Sequence, residues 1–158
     1  MRILDIDNCI SNDAWRIPTI RWDTSDQFDR YHAYHMFSPF DEPGNPHLFY
    51  GPEAEGAIII TSRPEFYRGI TEEWLRRAGA SWSRLLMRPD DDHRPSVEVK
   101  REHVHSLLHS GIAPEQIECA YDDHLDIVRM YRRYGIRAEQ VFIHTVSAYH
   151  APQTQAAA

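Results

Sequence analysis

The chain has 158 residues, 26% of them charged, and a formal charge of -7 with its ten histidines neutral. That length suits one domain with a core of ordinary size, and the 11% aromatic content excludes a disordered chain. The negative balance disfavours long nucleic acid as a bulk electrostatic partner, so no extended nucleic-acid groove is expected.

Two cysteines, Cys9 and Cys119, are too few for a disulfide framework and lack the spacing of a structural zinc site. This suits a reducing compartment. No segment has the length of a membrane span, and charges arrive by position 5, before a secretory apolar run is complete. The expectation is a cytoplasmic protein with no membrane partner; the oligomeric state stays open.

In chain order, "RILDI" (residues 2–6) reads as a buried strand with Asp5 and Asp7 at its C-terminal end. Alternation along a strand points two such carboxylates the same way. Like charges on one face are costly without a cation or a proton between them, so the pair is either loosely solvated or a site. Residues 11–55 follow no lasting period, with aromatic residues interleaved among charges and prolines. They read as an insertion covering something, with one short helix in "DQFDRYHAYHMF".

"GAIIIT" is a central-strand run, and "SRPEFYRGITEEWLRRAGA" continues as a helix that Gly79 closes. "RLLMR" is a third strand, "VEVKREHVHSLLHSG" a helix, "IECAY" a fourth strand, "HLDIVRMYRRYG" a helix and "QVFIH" a fifth strand. Strands alternating with helices give a parallel sheet covered on both faces. The expected unit is a single domain over residues 1–150, with a core of 1–10 and 56–147, the insertion at 11–55 and a disordered tail at 151–158.

Ligands of such sheets bind at the carboxyl ends of the strands. There the sequence delivers Asp5 and Asp7, then Thr61 and Ser62, then Asp122 and Asp123, with Lys100 opening a helix. A hard divalent cation is the usual remedy for crowded carboxylates. Magnesium, bound by one or two acids together with a substrate phosphate, is the natural candidate. A carboxylate can itself attack phosphorus while a second acid protonates the leaving oxygen, and Asp5 and Asp7 have the spacing for those two roles.

"LDIDNCI", "IIITSRP", "VEVKREHV" and "AYDDHLDIVRMYRRYGI", in that order, resemble the four motifs of the haloacid-dehalogenase superfamily of phosphatases. The likeness spans the chain to about His144. Within that superfamily, "LLMRPDDDHRPSVEVKREHV" followed by "YDDHLDIVRMYRRYGI" resembles the phosphatase domain of bacteriophage-type polynucleotide kinase/phosphatases. The resemblance implies a Rossmann-like three-layer sandwich with strand order 5-4-1-2-3 and a small cap after the first strand. It makes Asp5 the nucleophile and Asp7 the general acid and base, with Thr61 and Lys100 on the transferring phosphoryl group. Asp122, the Asp5 side chain and the Asp7 backbone carbonyl would hold Mg2+, supported by Asp123.

Two features depart from the family pattern. Asn8 and Cys9 stand where Gly-Thr is common, and no GxxxxGK[ST] phosphate loop, hence no kinase half, is present. Asn tolerates the left-handed turn that glycine would make. Cys9 cannot match the hydrogen bonds of a threonine hydroxyl.

Simpler roles compete at several positions. Thr61 and Ser62 also suit capping of the following helix. Arg63, Arg88 and Arg94 are either surface charge or contacts to a second phosphate or a nucleotide. Trp15, Tyr31 and Tyr34 are the candidate platforms for a base. His105 and His109, four apart, read as a solvated helix face rather than a zinc site, and His32, His35 and His47 as cap surface.

The substrate expected is a phosphorylated nucleotide or oligonucleotide end, and the narrower resemblance implies a polynucleotide 3′-phosphate. Alternatives are a 5′-nucleotidase for free nucleoside monophosphates and, in a different class, a receiver-like or catalytically silent binding module. In a receiver the phospho-accepting acid lies mid-chain, whereas here the second acidic pair follows the lysine, which argues against that reading.

Overall fold

The computed structural model describes residues 1–146, so the expected tail and residues 147–150 lie outside the described residues. Five parallel strands, β1 (Arg2–Leu4), β4 (Ala57–Pro64), β5 (Trp82–Arg88), β6 (Cys119–Asp122) and β7 (Ala138–Gln140), form one sheet in the order β5-β4-β1-β6-β7. The numbering differs from the expected 5-4-1-2-3 because the segment after β1 forms an antiparallel pair of its own, β2 (Ser11–Asn12) with β3 (Glu42–Pro43).

Side chains alternate across the sheet, and the two faces bury separate cores. On one face Ile3, Ile58 and Ile60 pack with Val104, Leu107, Ile127 and Val128; the helices there are α3 (Ser96–His109) and α4 (Leu125–Arg133). On the other, Leu4, Ile6 and Ile59 pack with Trp74 and Leu75 of α2 (Arg68–Ala78). The result is a three-layer α/β arrangement. Among the described residues no helix is long and apolar enough to cross a membrane.

Several boundaries move from their expected places. The helix expected from Ser62 begins only at Arg68, because β4 runs on through Pro64 and a 3-10 turn, Glu65–Tyr67, precedes the helix. In β4 the steps from Ile60 to Pro64 face only Leu86 to Arg88 of β5, a bulge that re-aims Thr61, Ser62 and Arg63. The fifth strand is Ala138–Gln140, not "QVFIH". Residues 141–146 leave the sheet and cross back toward the N-terminal loop, where the Ile143 amide donates to the Asn8 carbonyl (3.0 Å). Gly44 lets them pass, since a Cβ there would run into the Ile143 side chain. Gly79 closes α2 with a left-handed φ of +79°, as the sequence predicts.

The insertion has little regular structure beyond α1 (Gln27–Met36), capped by the Asp26 carboxylate on the Asp29 amide at 2.9 Å. A buried ion pair organises the rest. The fully buried Arg16 places Nε 2.8 Å and Nη2 2.7 Å from the two carboxylate oxygens of Asp41. Asp41 also accepts from Ser11 Oγ (2.5 Å) and Trp15 Nε1 (2.9 Å), while its carbonyl accepts from Trp74 Nε1 (2.9 Å). One aspartate thereby ties the insertion to α2 and to the chain leaving β1.

Removing one partner of a buried pair leaves an uncompensated charge, so Asp41→Ala is expected to cost on the order of 3 kcal/mol. Urea unfolding checks this: the midpoint should fall with the slope unchanged, and a loss below about 1 kcal/mol would mean that the pair does not organise the insertion.

Candidate active site

The carboxyl ends of β1 and β6 and the second turn of α3 meet at one point. Lys100 is buried with Nζ 2.6 Å from Asp5 Oδ1 and 2.6 Å from Asp122 Oδ2. The second oxygen of Asp122 accepts from the His124 amide at 3.0 Å. Asp123 Oδ2 accepts from Asn8 Nδ2 at 3.1 Å, while its Oδ1 is buried with no partner among the described residues. One oxygen from each of Asp5, Asp122 and Asp123 lies within 4.8 Å of the others.

Burial pushes the Asp5 carboxyl well above its ordinary value; Lys100 pulls it back, and the neighbouring Asp122 and Asp123 add to the rise. Burial and the Asp122 charge push Asp123 up to about 7. Burial alone would lower Lys100, but Asp122 and Asp5 hold it well above the usual lysine range. A carboxylate cluster with an orphaned buried oxygen is a donor set that suits a hard divalent cation.

The Asp7 carboxylate is not part of this cluster. The chain turns directly after β1, with the amides of Cys9 (3.1 Å) and Ile10 (2.9 Å) donating to the Ile6 carbonyl, and Asp5 and Asp7 take separate partners. Arg63 grips Asp7 with two bonds, Nε to Oδ2 at 3.0 Å and Nη2 to Oδ1 at 2.7 Å, and Arg16 Nη2 also donates to Oδ1. Burial would raise Asp7, but the Arg63 and Arg16 guanidiniums outweigh it and hold the carboxyl well below the usual range. Arg63 is therefore neither surface charge nor solvated.

Arg16 is the residue that the sequence reading passes over. It sits in "NDAWRIPTI", a stretch without period, where no pattern distinguishes a buried arginine from an exposed one.

Asn8 resolves one departure from the family pattern. It takes a left-handed φ of +61°, and its side chain does work that a glycine cannot. Oδ1 accepts from the amides of Ile143 (3.0 Å) and His144 (2.9 Å), and Nδ2 donates to the His144 carbonyl (3.1 Å). The segment after β7 is thus held over the site, where His144 Nε2 also meets Asp13 Oδ1. Cys9 is buried and makes only a long thiol contact, 3.7 Å, to the Tyr121 carbonyl.

Asp5, Asp7, Thr61, Ser62, Arg63, Lys100 and Asp123 line one cavity of about 430 Å3, closed on one side by Phe142 and His144. Thr61 is buried, and its Oγ1 accepts from the Arg63 amide at 3.2 Å. Ser62 Oγ is buried without a partner among the described residues. Tyr34 also borders this cavity, but its ring stacks under the Arg16 guanidinium (4.1 Å) and its hydroxyl donates to Asp13 (2.6 Å).

Tyr31, Arg88 and Arg94 fall instead in a second cavity of about 550 Å3. Arg88 there braces the loop after β5, donating to the carbonyls of Ser62 (3.0 Å), Asp92 (2.9 Å) and Arg94 (2.7 Å). Trp15 lines neither cavity. His105 Nε2 lies 2.5 Å from the Tyr134 hydroxyl and His109 Nδ1 2.8 Å from the His105 carbonyl. His35, read as surface, is buried, which lowers it to about 3, with the Arg16 and Arg63 charges adding and Asp7 opposing.

A parallel sheet that presents two acids after its central strand, a buried lysine and a second acidic pair defines a protein of the haloacid-dehalogenase type. Residues 50–144 match the family described as the polynucleotide kinase PNKP phosphatase domain, and the chain belongs to that family. Among solved structures, the chain is similar in fold to a chain of "Structure of the Pnkp1/Rnl/Hen1 RNA repair complex" (22% identity, TM-score 0.65), covering 88% of this chain and 41% of that one. A chain of "Structure of Pnkp1/Rnl/Hen1 complex" is similar at 20% identity and a TM-score of 0.66, covering 89% and 44%. The present chain therefore spans less than half the length of those it matches. Comparison with curated proteins gives no match.

Asn8→Gly keeps the left-handed turn and removes only the side chain, so it isolates the clamp. The His144 amide should exchange with solvent markedly faster, at a stability cost of about 1–2 kcal/mol. Unchanged hydrogen exchange at His144 would show that the segment is held by other contacts.

Proposed function

We propose that this chain is a Mg2+-dependent phosphomonoesterase that works through an aspartyl-phosphate and acts on the 3′-phosphate ends of polynucleotides. The observation that carries the reading is the contrast between the partners of Asp5 and Asp7. Asp5 is the one acid of the first pair free of arginine, positioned by Lys100 at the floor of a cavity that also presents Thr61, Ser62 and Arg63.

In this reading an Asp5 oxygen attacks phosphorus and the bond from phosphorus to the ester oxygen breaks. The leaving oxygen takes its proton from Asp7. A water then gives a proton back to Asp7 and attacks the same phosphorus, releasing inorganic phosphate and restoring the Asp5 carboxylate. Lys100 and the Thr61 hydroxyl serve the phosphoryl oxygens. Asp7 carries a proton only once its guanidinium clamp loosens, and a phosphoryl dianion beside Arg63 competes for that same guanidinium.

Asp5, Asp122 and Asp123 would hold the magnesium ion, with the Asp7 carbonyl as a further ligand. When bound, such an ion neutralises the acids and polarises phosphoryl oxygens. Residues 11–55 act as the cap, fixed to the site by Arg16, which joins Asp41 to Asp7. The charge of -7 keeps a second reading in view, hydrolysis of free nucleoside 5′-monophosphates, which need no basic groove.

Phosphate release with magnesium from a 3′-phosphorylated oligonucleotide, its 5′-phosphorylated counterpart and the free 3′- and 5′-monophosphates tests both. The 3′ end should be preferred, and Asp5→Asn should lower turnover by at least about 10³-fold while the circular dichroism spectrum stays native. Turnover retained in that variant would remove Asp5 as the nucleophile, and preference for free 5′-monophosphates would favour the second reading.

A further inference from the structure

The second cavity is not separate from the first. His35, Ser62, Ser96 and His124 line both, so the larger cavity adjoins the one above the Asp5 floor. Its lining adds a group of aromatic rings to charged side chains. Phe28 and Tyr31 of α1 come together there with Phe66 and Tyr67 of the turn after β4.

The rings form a platform with free area. Phe28 stacks on His32 at 4.8 Å between centroids and meets Phe66 edge-on at 5.3 Å, yet the two phenylalanines stay 47% and 61% exposed. Within this cluster Tyr67 and His35 are buried and Tyr31 and His32 partly buried, so Phe28 and Phe66 carry its open apolar area.

The cations of this cavity do not make it a phosphate track. Arg94 is paired with Asp92 (2.7 Å) and Glu102 (3.2 Å), and Asp90 and Asp126 add negative charge to the lining. What this lining offers a ligand is therefore flat ring surface. Nucleobases stack on aromatic side chains in a sequence-tolerant way.

We propose, resting on the phosphatase reading above, that this aromatic cavity is a subsite for the nucleobase one unit in from the phosphorylated terminus. The site then selects strand ends over free mononucleotides by stacking. It also does so without a basic groove, which accommodates the chain's net negative charge.

Phosphate release from thymidine 3′-monophosphate and from the 3′-phosphorylated dithymidine dinucleotide decides the matter. The kcat/KM of the dinucleotide should exceed that of the mononucleotide about tenfold or more. Phe28→Ala and Phe66→Ala, both at exposed positions where the fold tolerates truncation, should each bring that ratio most of the way to one. The ratio should change little between low and moderate salt, because stacking and not counterion release supplies it.

Equal efficiency on the two substrates, or a ratio that survives both substitutions, would overturn the subsite while leaving the phosphatase reading intact. A ratio that collapses with salt would overturn it too, by showing a phosphate contact instead. No phosphate release from either substrate would overturn both readings together.

Discussion

The structure depends on how it buries negative charge. Asp5 and Asp122 are buried and the Asp7 carboxylate is partly so, and each is made tolerable by a buried cation: Lys100 for the first two, Arg63 and Arg16 for the third. Burying a charge is affordable only when it is paired and hydrogen-bonded. These pairings draw α3, β4 and the insertion toward the end of β1, so the cations that stabilise the acids also assemble the cavity.

The same constraint separates two carboxylates that are only two residues apart. Asp5 stays beside other acids and a lysine, so burial drives its carboxyl up. Asp7 faces two guanidiniums and is driven down. Neighbouring acids whose environments push them in opposite directions are suited to different tasks, and here the difference arises because Asp5 still pairs with the sheet while Asp7 stands at the turn through residues 8–10. Asn8 sits at that turn and links it to the segment after β7, so one residue shapes both the floor and a wall of the cavity.

Much of the sheet was legible because it obeys period. Continuous apolar runs such as "AIII" become strands buried on two faces, and Gly79 closes its helix where the left-handed turn is needed. The rim followed from topology, since acids, hydroxyls and the lysine all stand just past strand ends. What could not be read was anything built by long-range pairing. Arg16 and Asp41 meet at a separation of 25 positions with α1 between them, and nothing local marks either as buried. The displaced fifth strand has a related cause. "QVFIH" is apolar enough to pair, but residues 143 and 144 give their amides to Asn8 instead of to a neighbouring strand. Among the aromatic candidates, Tyr34 was drawn into packing under Arg16, while Phe28 and Phe66 carry the exposed faces.

Phosphorylation of Asp5 during turnover is the central step of the proposed reaction. The most direct measurement is to quench the reaction in acid within its first turnovers and locate the added phosphoryl group by peptide mass spectrometry. A transient, acid-stable label is expected on the peptide containing Asp5, at that residue. A label on Asp7, or phosphate release at full rate with no protein-bound label at any time, would contradict it.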